Sequence, residues 1–167
     1  MQGTKIVATE NPRGYYEAVT VVGTPKPGTV MAMLSTAPVQ GVYSWEPYGT
    51  TAASGGNGVA ADGNRKVIAV LVEKFWEGKT YNDAYVTGDM GRVYFPLPGD
   101  KLNMLLENQG GTGDSFAIGD ELMVDDGTGK LLACDSDAEA QPFTVLETVA
   151  ALTADAHAFV RFNGSGG

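Results

Sequence analysis

The hydrophobic positions of this chain fall in short runs that alternate with polar residues and are separated by glycine-rich turns. In the stretch 118–134, Leu122 and Val124 are apolar at every second position, which is the period of a half-buried strand. Asp126-Gly127 supplies a residue with positive φ that can return the chain, and Gly129 can take a second one. The pattern therefore predicts a β-hairpin.

Runs of strand length recur along the rest of the chain. They lie at 18–22, 30–34, 39–45, 66–75, 92–95, 101–107, 143–149 and 157–162. The run 66–75 is apolar on both faces in its middle, so we expect it to be central, whereas in 157–162 Ala158, Val160 and Phe162 should face the core. At least seven strands joined by tight turns predict an all-β fold, a compact barrel or sandwich of short antiparallel strands.

One stretch has a helical signal. Thr80 can serve as an N-cap, and Asp83 three residues later can return the hydrogen bond as in a capping box. Gly88 would end the helix after about one turn. The sequence therefore predicts one short helical turn within an otherwise β protein.

The domain organisation follows from shifts in composition. Residues 1–17 are polar with isolated apolar side chains, which predicts an extended N-terminal arm. Two prolines in 23–28 favour a stiff extended connector. A Gly-, Ser- and Ala-rich segment follows, which has too little apolar surface to offset the entropy of ordering it. The predicted parts are an N-terminal arm with strands at 1–45, a loop at 46–64, a β core domain at 65–162 and a flexible tail at 163–167.

A short motif, Gly-Asp, recurs before predicted strands. It stands at 88–89, 99–100 and 119–120, and the last two copies continue as Gly-Asp-x-Leu. The spacings are unequal, whereas a solenoid needs a fixed period. We therefore do not predict a solenoid repeat.

Composition and charge narrow the function classes. The chain has 167 residues, enough for one domain with a substantial core, and its 23 glycines agree with many turns. The longest apolar run, 67–72, is far shorter than the roughly 20 residues of a membrane span, and the first residues lack the apolar segment of a signal peptide. A net charge of −9 without a basic cluster disfavours binding to nucleic acid or anionic membranes.

Candidate chemistry is sparse. Cys134 and His157 are the only residues of their types, so they are the only possible thiol–imidazole pair, and a structural role for each is the favoured interpretation. A single cysteine also excludes an internal disulfide and agrees with a protein made and kept in a reducing compartment. Too few ligands exist for zinc. We therefore expect neither catalysis nor a cofactor.

Two weaker possibilities stay open at this point. The acidic turns could bind calcium, although none has the spaced Asp-x-Asp-x-Asp-Gly pattern of a coordination loop. The acidic residues concerned are Asp125, Asp126, Asp135, Asp137 and Glu139. Trp45 and Trp76 could stack on a sugar, although packing in a core or an interface is the commoner use of tryptophan.

Several stretches, taken together in their order and spacing, resemble a known family. They are 78–85 (Gly-Lys-Thr-Tyr-Asn-Asp-Ala-Tyr), 88–89 (Gly-Asp), 93–100 (Val-Tyr-Phe-Pro-Leu-Pro-Gly-Asp), 119–122 (Gly-Asp-Glu-Leu) and 127–131 (Gly-Thr-Gly-Lys-Leu). The chain resembles the head decoration proteins of tailed bacteriophages, also called capsid cement or head-stabilisation proteins. The resemblance covers roughly residues 66–162, rests on turn motifs and leaves the first 60 residues outside.

The resemblance implies a structural virion protein that binds the outside of the capsid, contacts the major capsid protein, often acts as a trimer and strengthens the shell. It implies synthesis in the host cytoplasm and brings no catalytic or cofactor residues. An extended segment with apolar points can add a strand to a sheet edge of a partner. We therefore predict that residues 1–45 supply much of the capsid contact, with Ile6, Val7, Tyr15 and Tyr16 as anchors. Deletion of residues 1–17 should then abolish binding and leave the core folded.

Other functions remain as alternatives. One is a different virion module, such as a tail or fibre component. Another is a carbohydrate-binding β-sandwich that uses Trp45 or Trp76. An enzyme comes last, because it would need activity without the only cysteine and the only histidine.

Overall fold

The computed structural model describes residues 6–7, 12–34, 36–49, 69–108, 115–125, 127–134 and 142–164. In this part of the chain the secondary structure consists of ten strands and a 3-10 helix at Phe75–Glu77. The strands are β1 Tyr15–Val21, β2 Val30–Met33, β3 Ser44–Pro47, β4 Ala69–Leu71, β5 Met90–Phe95, β6 Lys101–Leu106, β7 Glu121–Val124, β8 Leu131–Ala133, β9 Phe143–Val145 and β10 Ala156–Phe162. The predicted all-β fold is confirmed.

The strands form two closed barrels. Barrel 1 has the order β1-β3-β2-β4-β5, and barrel 2 has the order β6-β8-β7-β9-β10 with β10 returning to β6. In each barrel the first and third strands are parallel, and every other pair is antiparallel. The two barrels therefore have the same topology, strand for strand.

The correspondence extends to the pairing register. Matching residue pairs are Val21–Trp45 with Leu106–Leu131, Met33–Trp45 with Val124–Leu131, Met31–Ala69 with Leu122–Phe143, and Leu71–Val93 with Val145–Val160. The last strands also share a pattern in which a small residue, a valine and a phenylalanine occupy every second position. These residues are Gly91, Val93 and Phe95 in β5, and Ala158, Val160 and Phe162 in β10. The chain is thus a duplicated five-stranded unit whose connections differ in length, which is why the sequence shows no fixed period.

The Gly-Asp motif has a different cause. In the turn 97–100, the Asp100 N–H donates to the Leu97 carbonyl (3.0 Å) and the Leu97 N–H donates to the Asp100 carboxylate (2.8 Å). The same two bonds close the turns 86–89 and 117–120. The glycine of each turn has a positive φ of 94°, 93° or 98°. The motif therefore marks one turn type that begins three non-equivalent strands, β5, β6 and β7, and not the duplication.

The barrels share a hydrophobic core. Val30, Val70 and Tyr94 of barrel 1 belong to the same buried cluster as the interior of barrel 2, while a smaller cluster around Val19 and Trp45 fills barrel 1. Backbone hydrogen bonds reinforce the junction. They run from Leu105 N–H to the Gly28 carbonyl (3.1 Å) and from Val30 N–H to the Gly129 carbonyl (2.7 Å). The two barrels therefore pack as one body.

The predicted hairpin is confirmed. Strands β7 and β8 pair antiparallel, with Leu122 opposite Ala133 and Val124 opposite Leu131. Gly127 and Gly129 both have positive φ, 118° and 67°. Local turn chemistry and a period of two were sufficient here because the hairpin is formed by residues close in sequence.

The helical prediction is wrong for residues 78–85, which form turns. Half of the capping box is present, because the Asp83 carboxylate accepts hydrogen bonds from the Thr80 N–H (2.7 Å) and Oγ1 (2.9 Å). The Asp83 N–H donates back to the Thr80 carbonyl (3.1 Å) and closes the turn. No helical apolar face follows the cap, so nothing extends this turn, and the 3-10 helix lies earlier in the chain.

The predicted domain boundaries differ from the observed architecture. The sheets divide between β5 and β6, whereas the prediction placed the boundary in the loop 46–64 and grouped 65–162 as one core. Because β1 pairs along its length with β5, strands from both sides of the predicted boundary close barrel 1. Residues 50–64 of the loop and 165–167 of the tail lie outside the described residues, while the Asn163 N–H donates to the Pro142 carbonyl (2.8 Å).

Candidate functional site

The first half of β1 presents two aromatic side chains on the surface. Tyr15 is 60% exposed and Tyr16 is 41% exposed, and Ala18 beside them is also exposed. We call residues 15–18 the β1 edge. Exposed aromatic residues of this kind are enriched where proteins contact one another, so the β1 edge is the candidate functional site.

The backbone of the β1 edge is paired on one side. The Val21 N–H donates to the Asp89 carbonyl (2.9 Å). The backbone N–H and C=O groups of every second residue before Val21 therefore point towards β5. The Thr20 N–H donates to the Tyr43 carbonyl (3.0 Å) on the opposite side of β1. The backbone N–H and C=O groups of Tyr16 and Ala18 point to that side as well, because they lie four and two residues before Thr20. β3 begins opposite Thr20, and no described strand pairs with Tyr16 or Ala18 there. Within the described part of the chain, their outward backbone N–H and C=O groups therefore form an open sheet edge.

Aromatic contacts hold the side chains of the β1 edge. The Tyr15 ring stacks on Phe95 with centroids 4.4 Å apart, and the Tyr16 ring lies 4.9 Å from Tyr94. The guanidinium of Arg92 sits 4.9 Å from the Tyr16 centroid, a cation–π contact. Burial, followed by the charge of Glu73, raises the pKa of Tyr16, so its hydroxyl stays neutral. The exposed rings are therefore pre-positioned.

A buried polar network fixes the chain that leads into the β1 edge. Asp100, 1% exposed, accepts a hydrogen bond from the Tyr94 hydroxyl (2.7 Å) and pairs with Arg13 (3.4 Å). The Gly14 N–H donates to the Tyr94 hydroxyl (2.9 Å). A Cβ at Gly14 would lie 1.9 Å from the Phe95 carbonyl oxygen, so the backbones approach too closely for any other residue. Burial and the Asp100 carboxylate raise the pKa of Tyr94.

The structure separates the four predicted anchor residues into two pairs. Tyr15 and Tyr16 lie at the β1 edge. Ile6 is fully buried in the cluster that the two barrels share, its carbonyl accepts from the Asn103 N–H (2.7 Å), and Val7 forms an antiparallel bridge with Leu102. The described parts of the predicted arm are thus packed against the barrels. A local pattern cannot distinguish an apolar residue that anchors a partner from one that completes its own core.

A second exposed apolar feature is the hairpin between β2 and β3, which the sequence analysis did not single out. Val39 and Val42 exchange two backbone hydrogen bonds of 3.0 Å around Gln40 and Gly41, both with positive φ. Val39 is 73% exposed and Tyr43 is 37% exposed. The dipeptide Gln-Gly between valines was the available signal, because a two-residue turn needs positive φ at both positions. The hairpin adjoins the β1 edge through Tyr43.

A cavity of about 430 Å³ lies at the junction of the barrels. Lys130 on its wall pairs with Asp155 (2.9 Å) and Glu107 (3.6 Å), so its charge is balanced by carboxylates. Burial, followed by the charge of Asp125, raises the pKa of Glu107. The lining includes Gly127 and Thr128 of the β7–β8 turn. The cavity therefore has an ion-paired cluster on its barrel 2 side.

The only possible thiol–imidazole pair lies on strands that are not neighbours. Cys134 follows β8 and His157 lies on β10, and β6 separates these strands in barrel 2. The His157 Nε2 bonds the Pro27 carbonyl (2.8 Å) and its ring meets Tyr81 edge-on, at 4.8 Å between centroids. Burial lowers the pKa of His157. The imidazole thus joins the two barrels.

The two tryptophans differ in exposure. Trp45 is 4% exposed, packs against Phe95 inside barrel 1 and leaves its buried Nε1 without a partner among the described residues. Trp76 is 44% exposed on the 3-10 helix. Only Trp76 therefore presents a ring on which a sugar could stack.

The calcium question concerns mostly residues outside the described ranges, namely Asp126, Asp135, Asp137 and Glu139. The Asp125 carboxylate accepts from the Thr128 N–H (3.2 Å) and hydroxyl (2.7 Å). Within the ranges that the structure describes, no three His, Cys, Asp or Glu side chains are placed to hold a metal ion. Among the same residues, no helix has the length and apolar character needed to cross a membrane.

The chain was compared with known proteins. No protein-family model and no curated protein sequence matches it.

Proposed function

We propose that this chain is a structural virion protein that binds the outside of a phage capsid and reinforces it, as a trimer in contact with the major capsid protein. The proposal starts from the resemblance to head decoration proteins. The observation that supports it best is the β1 edge, where two exposed aromatic rings and an open strand edge stand on a stiff body.

The stiffness has a structural basis. Two closed barrels share one buried cluster and are joined by backbone hydrogen bonds at Gly28 and Gly129. Protein interiors are close-packed and transmit strain, so a load on one barrel reaches the other. This suits a brace that must resist the pressure of packaged DNA.

The proposed mode of action requires no reacting group. Association can be spread over shape, aromatic contacts and main-chain pairing, and many copies on one lattice gain from a high effective concentration. Individually weak contacts at Tyr15 and Tyr16 are then sufficient. Under this proposal the protein is made in the host cytoplasm and then binds to the surface of the virion.

The test uses purified protein and empty shells of the phage's own major capsid protein. The double variant Tyr15→Ala/Tyr16→Ala should bind at least tenfold more weakly in co-sedimentation, because the exposed rings are lost. Ile118→Ala, which removes a 67% exposed side chain from barrel 2, is the matched control and should bind as wild type. Absence of binding by the wild type would contradict the proposal.

Deletion of residues 1–17 is a poor substitute for these variants. It removes Ile6, which is fully buried, and the first part of β1. Loss of binding would then be indistinguishable from loss of folding. We therefore expect the truncated protein to lose part of its core packing, which differs from the expectation based on the sequence alone.

A second candidate function is carbohydrate binding, which the 44% exposure of Trp76 favours. It predicts a change in tryptophan fluorescence on addition of glycans that Trp76→Phe abolishes. A tail or fibre component is the remaining alternative, and it would co-purify with tails instead of DNA-filled heads.

A further inference from the structure

The duplication allows the same sheet edge to be compared in both barrels. Val21 and Leu106 are equivalent, because each pairs with the corresponding residue of the parallel third strand. Ala18 lies three residues before Val21, and Asn103 lies three before Leu106. Ala18 and Asn103 are therefore equivalent positions on the first strands of the two barrels.

In barrel 2 this edge is occupied. The Asn103 N–H donates to the Ile6 carbonyl (2.7 Å), and Val7 pairs antiparallel with Leu102. Ile6 is fully buried in the cluster that the two barrels share, and its own N–H donates to the buried Glu73 carboxylate (3.1 Å). A short extended segment with a β-branched apolar residue thus completes barrel 2.

In barrel 1 no segment of the described chain covers the equivalent edge. Beyond Thr20, whose N–H is bonded by the Tyr43 carbonyl, the groups of Ala18 and Tyr16 that face away from β5 meet no described strand. Tyr15 stacks on Phe95 of the barrel 1 core and yet is 60% exposed. The edge therefore has the unpaired backbone and the uncovered apolar surface that a docked strand would satisfy.

We propose that the β1 edge is a strand-acceptor site: an extended segment of the major capsid protein pairs antiparallel with residues 16–18 and places a β-branched apolar residue against Tyr15. The inference rests on the proposed function for the identity of the partner. The chemistry of the segment comes from this chain itself, since Ile6-Val7 shows what the same edge accepts in barrel 2. Backbone pairing supplies affinity and the apolar residue selects the register.

The experiment compares Ala18→Pro with Ala18→Ser. Proline removes the outward N–H without touching the bonds to β5, which the neighbouring residues make, and proline is tolerated on such edges. Serine keeps the N–H and is the matched control. Binding to empty shells of the phage's own capsid protein is measured by co-sedimentation, and amide hydrogen exchange of Tyr16 and Ala18 is followed with and without shells.

We expect Ala18→Pro to bind at least tenfold more weakly, Ala18→Ser to bind within twofold of wild type, and the Tyr16 and Ala18 amides to become protected on the shells. Equal binding of both variants with unprotected amides would overturn the acceptor site and leave the proposed function standing. Wild-type protein that does not bind shells would overturn both.

Two further outcomes are decisive. Protection of these amides in the free protein, together with self-association that Ala18→Pro abolishes, would assign the site to a second copy of this chain and overturn the capsid assignment. If Ala18→Pro does not fold, hydrogen exchange of the wild type decides alone, because protection that appears only on shells requires a partner at this edge.

Discussion

The two barrels have the same strand order and register but differ in how one edge is finished. In barrel 2 the first strand is covered by Ile6 and Val7 of the same chain. In barrel 1 the equivalent residues Tyr16 and Ala18 remain open on the surface of the described structure. The comparison shows that one topology can have its first-strand edge covered or uncovered, depending on whether the described chain supplies a segment at that edge.

The barrels also differ at equivalent positions of their last strands. Tyr94 of β5 lies opposite Tyr16 and Val70, as Arg161 of β10 lies opposite Lys101 and Thr144. Tyr94 is fully buried at the junction, whereas Arg161 is exposed. The face of barrel 1 that carries Tyr94 is therefore buried at the junction, whereas the equivalent position of barrel 2, Arg161, is exposed to solvent.

The largest expected effect concerns the junction. In Gly129→Ala the new Cβ would lie 2.3 Å from the Val30 carbonyl oxygen, and the residue has a φ of 67°. Clash and backbone strain together should cost about 3 kcal/mol or more. Gly127→Ala in the same turn is the control, because its new Cβ would meet nothing within 4 Å, and it should cost about 1–2 kcal/mol from its positive φ alone. Urea unfolding measures both, and equal losses would show that the contact between barrels is unimportant.

The next effect compares the covered and open edges. Ile6→Ala should lower the free energy of unfolding by about 2–4 kcal/mol, because it empties a fully buried position in barrel 2. Tyr16→Ala at the open edge should cost only about 1 kcal/mol, since its ring is already 41% exposed. Thermal and urea unfolding give the ranking. A smaller loss for Ile6→Ala would mean that the N-terminal segment does not complete barrel 2.

A smaller effect tests the buried network. Tyr94→Phe removes the hydroxyl that donates to Asp100 and accepts from the Gly14 N–H, so it should cost about 1–2 kcal/mol. The equivalent residue of barrel 2 gives the control, because exposed Arg161→Ala should change stability by less than about 0.5 kcal/mol. Chemical denaturation checks the pair, and comparable losses would contradict the asymmetry between barrels.

The smallest effect is a pH dependence from His157. Burial lowers the pKa of His157 below its ordinary 6.5, so the unfolded chain binds the proton more readily than the folded one. The stability that comes from keeping this imidazole neutral is fully present above pH 6.5 and is lost as the pH falls below 6.5. Wild type should therefore lose under about 1 kcal/mol more than His157→Gln between pH 7.5 and 5.5. Parallel pH profiles of the two proteins in urea unfolding would rule out the imidazole as the cause.

Much of the secondary structure could be predicted from local patterns. The β7–β8 hairpin followed from a period of two around Asp126-Gly127, and the inward face of β10 followed from its alternation. The Thr80–Asp83 pair was recognised correctly as two residues that bond each other, but the bond closes a turn. A capping pattern specifies a local hydrogen bond, whereas a helix also needs an apolar face to pack.

The candidate site was predicted in part. Tyr15 and Tyr16 are exposed as expected of anchors, while Ile6 is buried. In the sequence, an isolated apolar residue in a polar stretch looks the same whether it is exposed or buried in the protein's own core. The open backbone at Ala18 had no signal in the sequence, because it depends on where β3 begins to pair with β1.

The sequence alone determined that this protein is built of short strands and tight turns, because alternation, glycine and the Gly-Asp turns act over a few residues. The tertiary structure decided that the ten described strands form two equivalent barrels. Within the described residues, the N-terminal segment covers one edge of barrel 2, and the equivalent edge of barrel 1 stays open. Those features depend on pairing between residues far apart in the chain, and the connections of unequal length conceal the duplication from any fixed period.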